Sequence, residues 1–164
     1  MAHEPRLTRE LRLLLHGRRT AALGSIADDG SPFVSMVPYA IEPGQALLVL
    51  HVSSLAAHTR HLRASPRVSL LVTEPEVEGA PVHALPRVTL DGEAALLEPV
   101  DARRPACAAA YLARFPEAEF MTQLGDFRFA LVRVTGARHV AGFGAARDVD
   151  ALEVEQVLRA PADS

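Results

Sequence analysis

The chain has 164 residues, 49% of them hydrophobic and 23% charged, with a formal net charge of −3, which suits one globular domain with a real core and excludes the clustered positive charge of a nucleic-acid surface. All 17 basic side chains are arginines, scattered along the chain. No apolar stretch approaches membrane-spanning length, and the longest run near the N-terminus, Leu13–Leu15, is too short for a signal-peptide core. The single Cys107 cannot form an intrachain disulfide or build a thiolate metal site alone, so a cytoplasmic protein is expected.

Glu4 to His16 carries Leu7, Leu11, Leu14 and Leu15 at helical spacing, and Gly17 ends that helix. The segment RTAALGSIADDGSPFVSMVPYAIEPGQALLVLHV reads as three strands, with Asp29-Gly30 at the first hairpin and Pro43-Gly44 at the second turn. Such short connections make the strands antiparallel neighbours. The third strand is apolar on both faces, with Ala46, Leu48, Leu50 and Val52 on one side and Leu47, Val49 and His51 on the other. A strand of that kind needs a barrel interior on one face and a helix or a partner subunit on the other, which is a first indication of a dimer.

SSLAAHTRHLRASP follows as a short helix, with Ser53 or Ser54 as its N-cap and Pro66 after its end. Arg67 to Glu74 is a fourth strand, EPEVEGAPVHALP a loop, and Arg87 to Glu98 a fifth strand with Gly92 as a candidate bulge. Asp101 to Phe115 is an alanine-rich helix capped by Asp101, with Pro105 tolerated in the first turn. Gly125 to Val140 is a long sixth strand interrupted by Gly136, and Asp148 to Leu158 is a closing helix. Hairpins dominate and no βαβ repeat occurs. The expected fold is therefore mainly β (α+β), a six-stranded, mainly antiparallel barrel with peripheral helices, in one domain spanning residues 1–164.

Three groups of residues carry candidate chemistry. At HVSSLAAHTR a strand runs straight into a helix, whose first amides lack intrahelical partners and favour an anion. Ser53, Ser54, His58, Thr59 and Arg60 could complete a phosphate pocket there, although the same residues also make an ordinary capped helix with basic groups in solvent. In FVSMVPYAI, Pro38 removes a ladder donor, which suggests an edge strand or bulge, so Ser35, Met36, Val37 and Pro38 form either a plain edge with no ligand or a strand whose free backbone suits the rim of an isoalloxazine ring. In HVAGFGAA, Gly142 and Gly144 flank Phe143, either a ring presented to a ligand or a core plug; the spacing is not that of a dinucleotide fingerprint.

His51, His58 and His61 lack a carboxylate in register or any zinc-ligand frame, so no metal site is assigned, while one histidine would suffice for a haem iron. Ser25, Ser31 and Ser35 lie outside any nucleophile elbow, and Cys107 sits in an alanine-rich helix. No catalytic residue is assigned, and a bound cofactor must supply any reactive centre.

The order of these segments resembles the pyridoxamine 5'-phosphate oxidase-like FMN-binding split barrels. RTAALGSIADDGSPFVSMVPY and HVSSLAAHTRHLRASPRVSLLV resemble their first half, and YLARFPEAEFMTQLGDFRFALVRVTGARHVAGFGAA resembles the branch associated with haem utilisation and degradation. The resemblance implies that the barrel takes the split form, a six-stranded antiparallel split β-barrel, in a homodimer with FMN in the cleft between subunits and a small-molecule substrate, without nucleic acid or membrane as partner. It further implies that Ser35 to Tyr39 line the flavin, that Ser53 to Arg60 hold its phosphate, and that Phe143 lies near the cofactor. Relatives often have lysine and asparagine where His58 and His61 stand. The expected function is a flavin-dependent oxidoreductase, with a haem-binding or haem-degrading protein as one alternative and a non-enzymatic split-barrel dimer as another.

Overall fold

A computed structural model describes residues 4–162. The element order is α1 (Arg6–Gly17), β1 (Thr20–Ile26), β2 (Pro32–Pro38), β3 (Ala40–Glu42), β4 (Leu47–Ser53), α2 (Ala57–Ala64), β5 (Arg67–Thr73), β6 (Arg87–Leu96), α3 (Arg104–Arg114), β7 (Phe127–Val140), β8 (Ala146–Asp150) and α4 (Ala151–Arg159), with 3-10 turns at Val82–Ala84 and Pro116–Gln123. All strand pairs are antiparallel, in the order β2-β1-β5-β6-β7-β4-β3, with β8 added on β7.

That order explains the barrel. β2 and β3 are the two ends of the strand path, yet only Tyr39 separates them in the chain, so the sheet must curl until its ends meet. Tyr39 pins the closure: its amide donates to the Arg19 carbonyl, and its fully buried hydroxyl donates to the Leu15 carbonyl at 2.6 Å. Asp29-Gly30 makes the first hairpin turn as expected, with Gly30 at φ +83°, a conformation that favours glycine. Gly92 sits where the β6–β7 register shifts, opposite the extra residue Thr135 of β7, and an added Cβ there would lie 2.7 Å from the Arg133 carbonyl oxygen, so only glycine fits against this bulge.

The strand count is eight rather than six. Pro38, which cannot donate to the ladder, is the last residue of β2, and after Tyr39 the chain continues as a separate three-residue strand, β3. The segment ARDVD, expected to belong to the closing helix from Asp148, instead pairs with β7 from Ala146 to Asp150. The helix then begins at Ala151, because Asp150 rather than Asp148 accepts the Glu153 amide as N-cap. α3 likewise starts at Arg104 rather than Asp101, whose carboxylate accepts from the Arg103 amide one turn earlier.

Two apolar clusters hold the fold. The barrel interior joins Leu23, Leu48, Leu50, Leu70, Leu90 and Val132 to the leucines of α1, to Leu62 of α2 and to Val154, Val157 and Leu158 of α4. A second cluster lies outside β4 and β7, where Leu47, Val49, Leu131 and Phe129 pack under Cys107, Tyr111 and Phe115. The doubly apolar β4 is thus covered by α3 of its own chain. Of the two covers its sequence allowed, a helix or a partner subunit, the helix is the one that packs on this face.

Candidate functional site

α2 lies across the inward faces of β1 and β2. Strand alternation sends Leu23 and Ser25 of β1, and Phe33, Ser35 and Val37 of β2, toward that side. His58 and His61 stand one helical turn apart on α2 and meet this face in two rungs. In the outer rung, Ser35 Oγ and His58 Nδ1 are 3.0 Å apart. In the inner rung, Ser25 Oγ and His61 Nδ1 are 3.0 Å apart, and the Phe33 ring stands edge-on to His61 with centroids 5.1 Å apart. His61 is buried while His58 is half-buried, and burial, followed by the neighbouring His61, holds the His58 imidazole below its ordinary pKa. A neutral ring is the form that can ligate a metal.

The start of α2 differs from the sequence expectation. Its N-cap is Ala56, which has no capping side chain, rather than Ser53 or Ser54. Ser53 is still the last residue of β4, opposite Phe127, and the Ser54 amide continues the ladder to the Asp126 carbonyl. Ser53 Oγ accepts from the Leu55 amide, and the Ser53 carbonyl accepts from the Ala56 amide and the Thr59 hydroxyl. Thr59 is fully buried in that role. With the Thr59 amide bonded to the Ala56 carbonyl, only the amides of Ala57 and His58 are left at this end for an outside anion. Arg60 is exposed nearby, and its side chain makes no ion pair or hydrogen bond among the described residues.

The β2 residues divide between two sides. Val37 points into the barrel and is buried, so only its backbone could meet a ring, and Pro38 closes the strand. Met36 and Val34 point the other way and are each 67% exposed. With Leu71 and Ala22 in register beside Met36, and Gly24 and Ser69 beside Val34, they form an open apolar band on the outer face of β2, β1 and β5. Phe143 is not a core plug: it stands exposed at the tip of the β7–β8 hairpin, where Gly144 has φ +75°.

Sequence reasoning missed Ser25 and Phe33. The signal was present for Ser25: a hydroxyl at a core-facing position of an alternating strand needs a buried partner, and His61 supplies it. Among the described residues no group of three or more histidine, cysteine or acidic side chains could hold a metal ion, and no helix is long and apolar enough to cross a membrane.

The sequence profile of pyridoxamine 5'-phosphate oxidase matches residues 7–141. The chain belongs to this family. Within the family it groups with the haem-utilisation branch. It is 34% identical over 152 residues to the chloroplast heme oxygenase HOZ of Arabidopsis thaliana, covering 88% of this chain and 45% of that protein. It is 30% identical over 145 residues to the heme oxygenase HutZ of Vibrio cholerae, covering 88% of this chain and 81% of that one. The chain therefore spans less than half of the first relative and most of the second. Among solved structures, a heme binding protein from Mycobacterium smegmatis superposes with a TM-score of 0.83 at 29% identity, over 94% of this chain and 62% of that chain. The V. cholerae HutZ structure, described as a heme storage protein, superposes with a TM-score of 0.70 at 28% identity, over 78% and 89%.

Proposed function

We propose that this protein binds haem and acts in its utilisation as a haem-degrading enzyme, with haem as the substrate. The observation that carries the reading is the identity of 34% and 30%, over 88% of the chain in each case, to two proteins named as heme oxygenases. The chemistry of the α2 face is compatible with such a ligand. It offers a half-buried imidazole beside an exposed apolar strand edge, as an iron-bearing, mostly apolar macrocycle requires.

Flavin binding is the second reading, favoured by the exposed Arg60 and the two open amides of Ala57 and His58. It is the weaker one, because Thr59 and the amides of Ser54, Leu55 and Ala56 are already bonded within the chain. Titration of the purified chain with hemin and, separately, with FMN distinguishes the two. A displaced, saturable Soret band, followed by its loss when ascorbate is added in air with release of ferrous iron, supports the haem reading. A Soret band identical to free hemin throughout, together with saturable quenching of flavin fluorescence, overturns it.

The working unit in this proposal is a homodimer joined through the open outer face of β2, β1 and β5, with the ligand at the subunit boundary. An apolar band on a sheet that nothing in its own chain covers is the supporting observation.

A further inference from the structure

The arginines of this chain fall into two groups. Nine of the 17 stand within 4.0 Å of a carboxylate, and the rest have no such partner among the described residues. Of those, Arg9, Arg60, Arg63 and Arg67 are exposed, where water solvates the charge. Arg87, Arg104, Arg114 and Arg128 are half-buried. Arg87 donates to the His83 and Leu85 carbonyls, and Arg114 to those of His16 and Arg18. Arg104 and Arg128 differ because they line one cavity. It lies between the start of α3, the end of the 3-10 turn at Pro116–Gln123 and the start of β7, with a volume of about 200 Å³. No acidic side chain is among its walls. Asp101, the nearest carboxylate before Arg104 in the chain, is held by Arg103 through two bonds of 3.0 and 2.8 Å.

We propose that this cavity is an oxyanion site, in which the guanidinium groups of Arg104 and Arg128 hold a carboxylate or phosphate group. Two cations that share a cavity without a carboxylate repel each other and lose part of their hydration, and an anion between them offsets both costs. Arg104 has its whole guanidinium to offer. It makes no hydrogen bond among the described residues and lies over the Phe129 ring, 5.6 Å from the centroid. Arg128 is anchored through Nη1, which donates to the Gly125 and Phe127 carbonyls at 3.0 and 3.1 Å, and keeps Nε and Nη2 for a ligand. A guanidinium fork matches two oxygens of a carboxylate or a phosphate. Gln123, exposed in the same wall, adds a neutral amide donor. The volume admits one such group with a few carbons, and is too small for a macrocycle or a flavin ring. Leu124, 44% exposed, also lines the cavity, so its mouth accepts both a free ion and the acid arm of an apolar molecule, haem among them. The site needs no iron and stands whether or not haem binds.

The test is calorimetric titration of the full chain with inorganic phosphate at constant ionic strength. Hemin and hemin dimethyl ester are titrated separately, in the same detergent, and read at the Soret band. Variants are Arg104→Gln, Arg128→Gln, the double variant, Arg104→Lys and, as a control of equal charge, the exposed Arg9→Gln, each checked by circular dichroism for an unchanged fold. Wild-type protein binds phosphate saturably, each single glutamine variant weakens that binding at least tenfold, and Arg9→Gln matches the wild type. Arg104→Lys, which keeps the charge and loses the fork, weakens it severalfold, and serves as the readout if Arg104→Gln does not fold. A wild-type preference of at least tenfold for hemin over its diester, lost in the double variant, identifies the acid arm of an apolar molecule as the occupant. Phosphate binding without that preference identifies a free ion. The site is overturned if neither phosphate binding nor the preference for hemin depends on the two arginines, whether the wild type shows neither or the double variant keeps both. A wild type that binds phosphate and leaves the hemin spectrum unchanged upholds the site and overturns the haem-binding proposal.

Discussion

Replacing Val34 and Met36 together with aspartate tests the outer sheet face as the subunit contact. Both side chains point away from the barrel and are 67% exposed in the single chain, so the change removes nothing from the core. Complete burial of a valine or methionine side chain contributes ~1.5–3 kcal/mol. Covering the exposed two-thirds is then worth roughly 1–2 kcal/mol per side chain by the same measure. A two-fold contact uses each position twice, so the four side chains supply on the order of 4–8 kcal/mol of association energy. Losing even the lower figure weakens a dimer by about a thousandfold, and four buried carboxylates add a further desolvation cost. Sedimentation equilibrium over a micromolar range should give twice the chain mass for the wild type and the monomer mass for the double variant, with melting temperature measured alongside. A double variant that sediments like the wild type would refute the assignment of this face, and a monomeric wild type would refute the dimer.

Three further outcomes follow from the packing. Gly92→Ala forces a Cβ to within 2.7 Å of the Arg133 carbonyl oxygen and 2.9 Å of Val132. It should destabilise the chain by ~1–3 kcal/mol, whereas Gly136→Ala, whose nearest neighbour is the Val149 oxygen at 3.8 Å, should be nearly neutral; equal thermal melts for the two would contradict the bulge. Burial, aided by the Arg104 charge, pushes the His51 pKa down to about 4 from 6.5. Between these values the unfolded chain binds a proton that the folded chain does not, so stability is full above about pH 6.5 and falls toward pH 4, by roughly 3 kcal/mol for this residue alone. Urea midpoints at pH 7.5 and pH 5 should show the loss, and His51→Phe should reduce the difference; an undiminished pH dependence in that variant counts against the attribution. Burial also pushes the Cys107 thiol up to about 11, so a disulfide reagent at neutral pH should react only on unfolding; rapid labelling of the native chain would show the α3 cluster to be open.

The fold was legible where periodicity is strong. β4, with an apolar side chain at nearly every position, could only lie between two layers, and the sequence pattern showed both faces without showing which element covers the second. Tyr111 and Phe115 of α3 do so, a long-range pairing that no local pattern encodes. β3 and β8 escaped because three residues are too few for a period, and Asp148 and Asp150 each look like a helix cap. The candidate site was legible in its location and not in its wiring. Ser53 and Ser54 look like caps in sequence, but Ser54 bonds Asp126, some seventy residues away. The two serine–histidine rungs depend on the register between β1 and β2 and on where α2 begins, and its N-cap, Ala56, lies two to three residues later than the serines suggest.

β7 has a consequence for how the molecule assembles. Its first half pairs with β4, its second half with β8 on the same side, and β6 runs along its other side. It is thus the strip that joins β2-β1-β5-β6 to β4-β3. During synthesis, β6 and β4 have emerged long before residues 127–140 and present unpaired edges until β7 arrives. The rate-limiting search is therefore for a partner that comes late and from far along the chain, which predicts slow folding for a chain of this size.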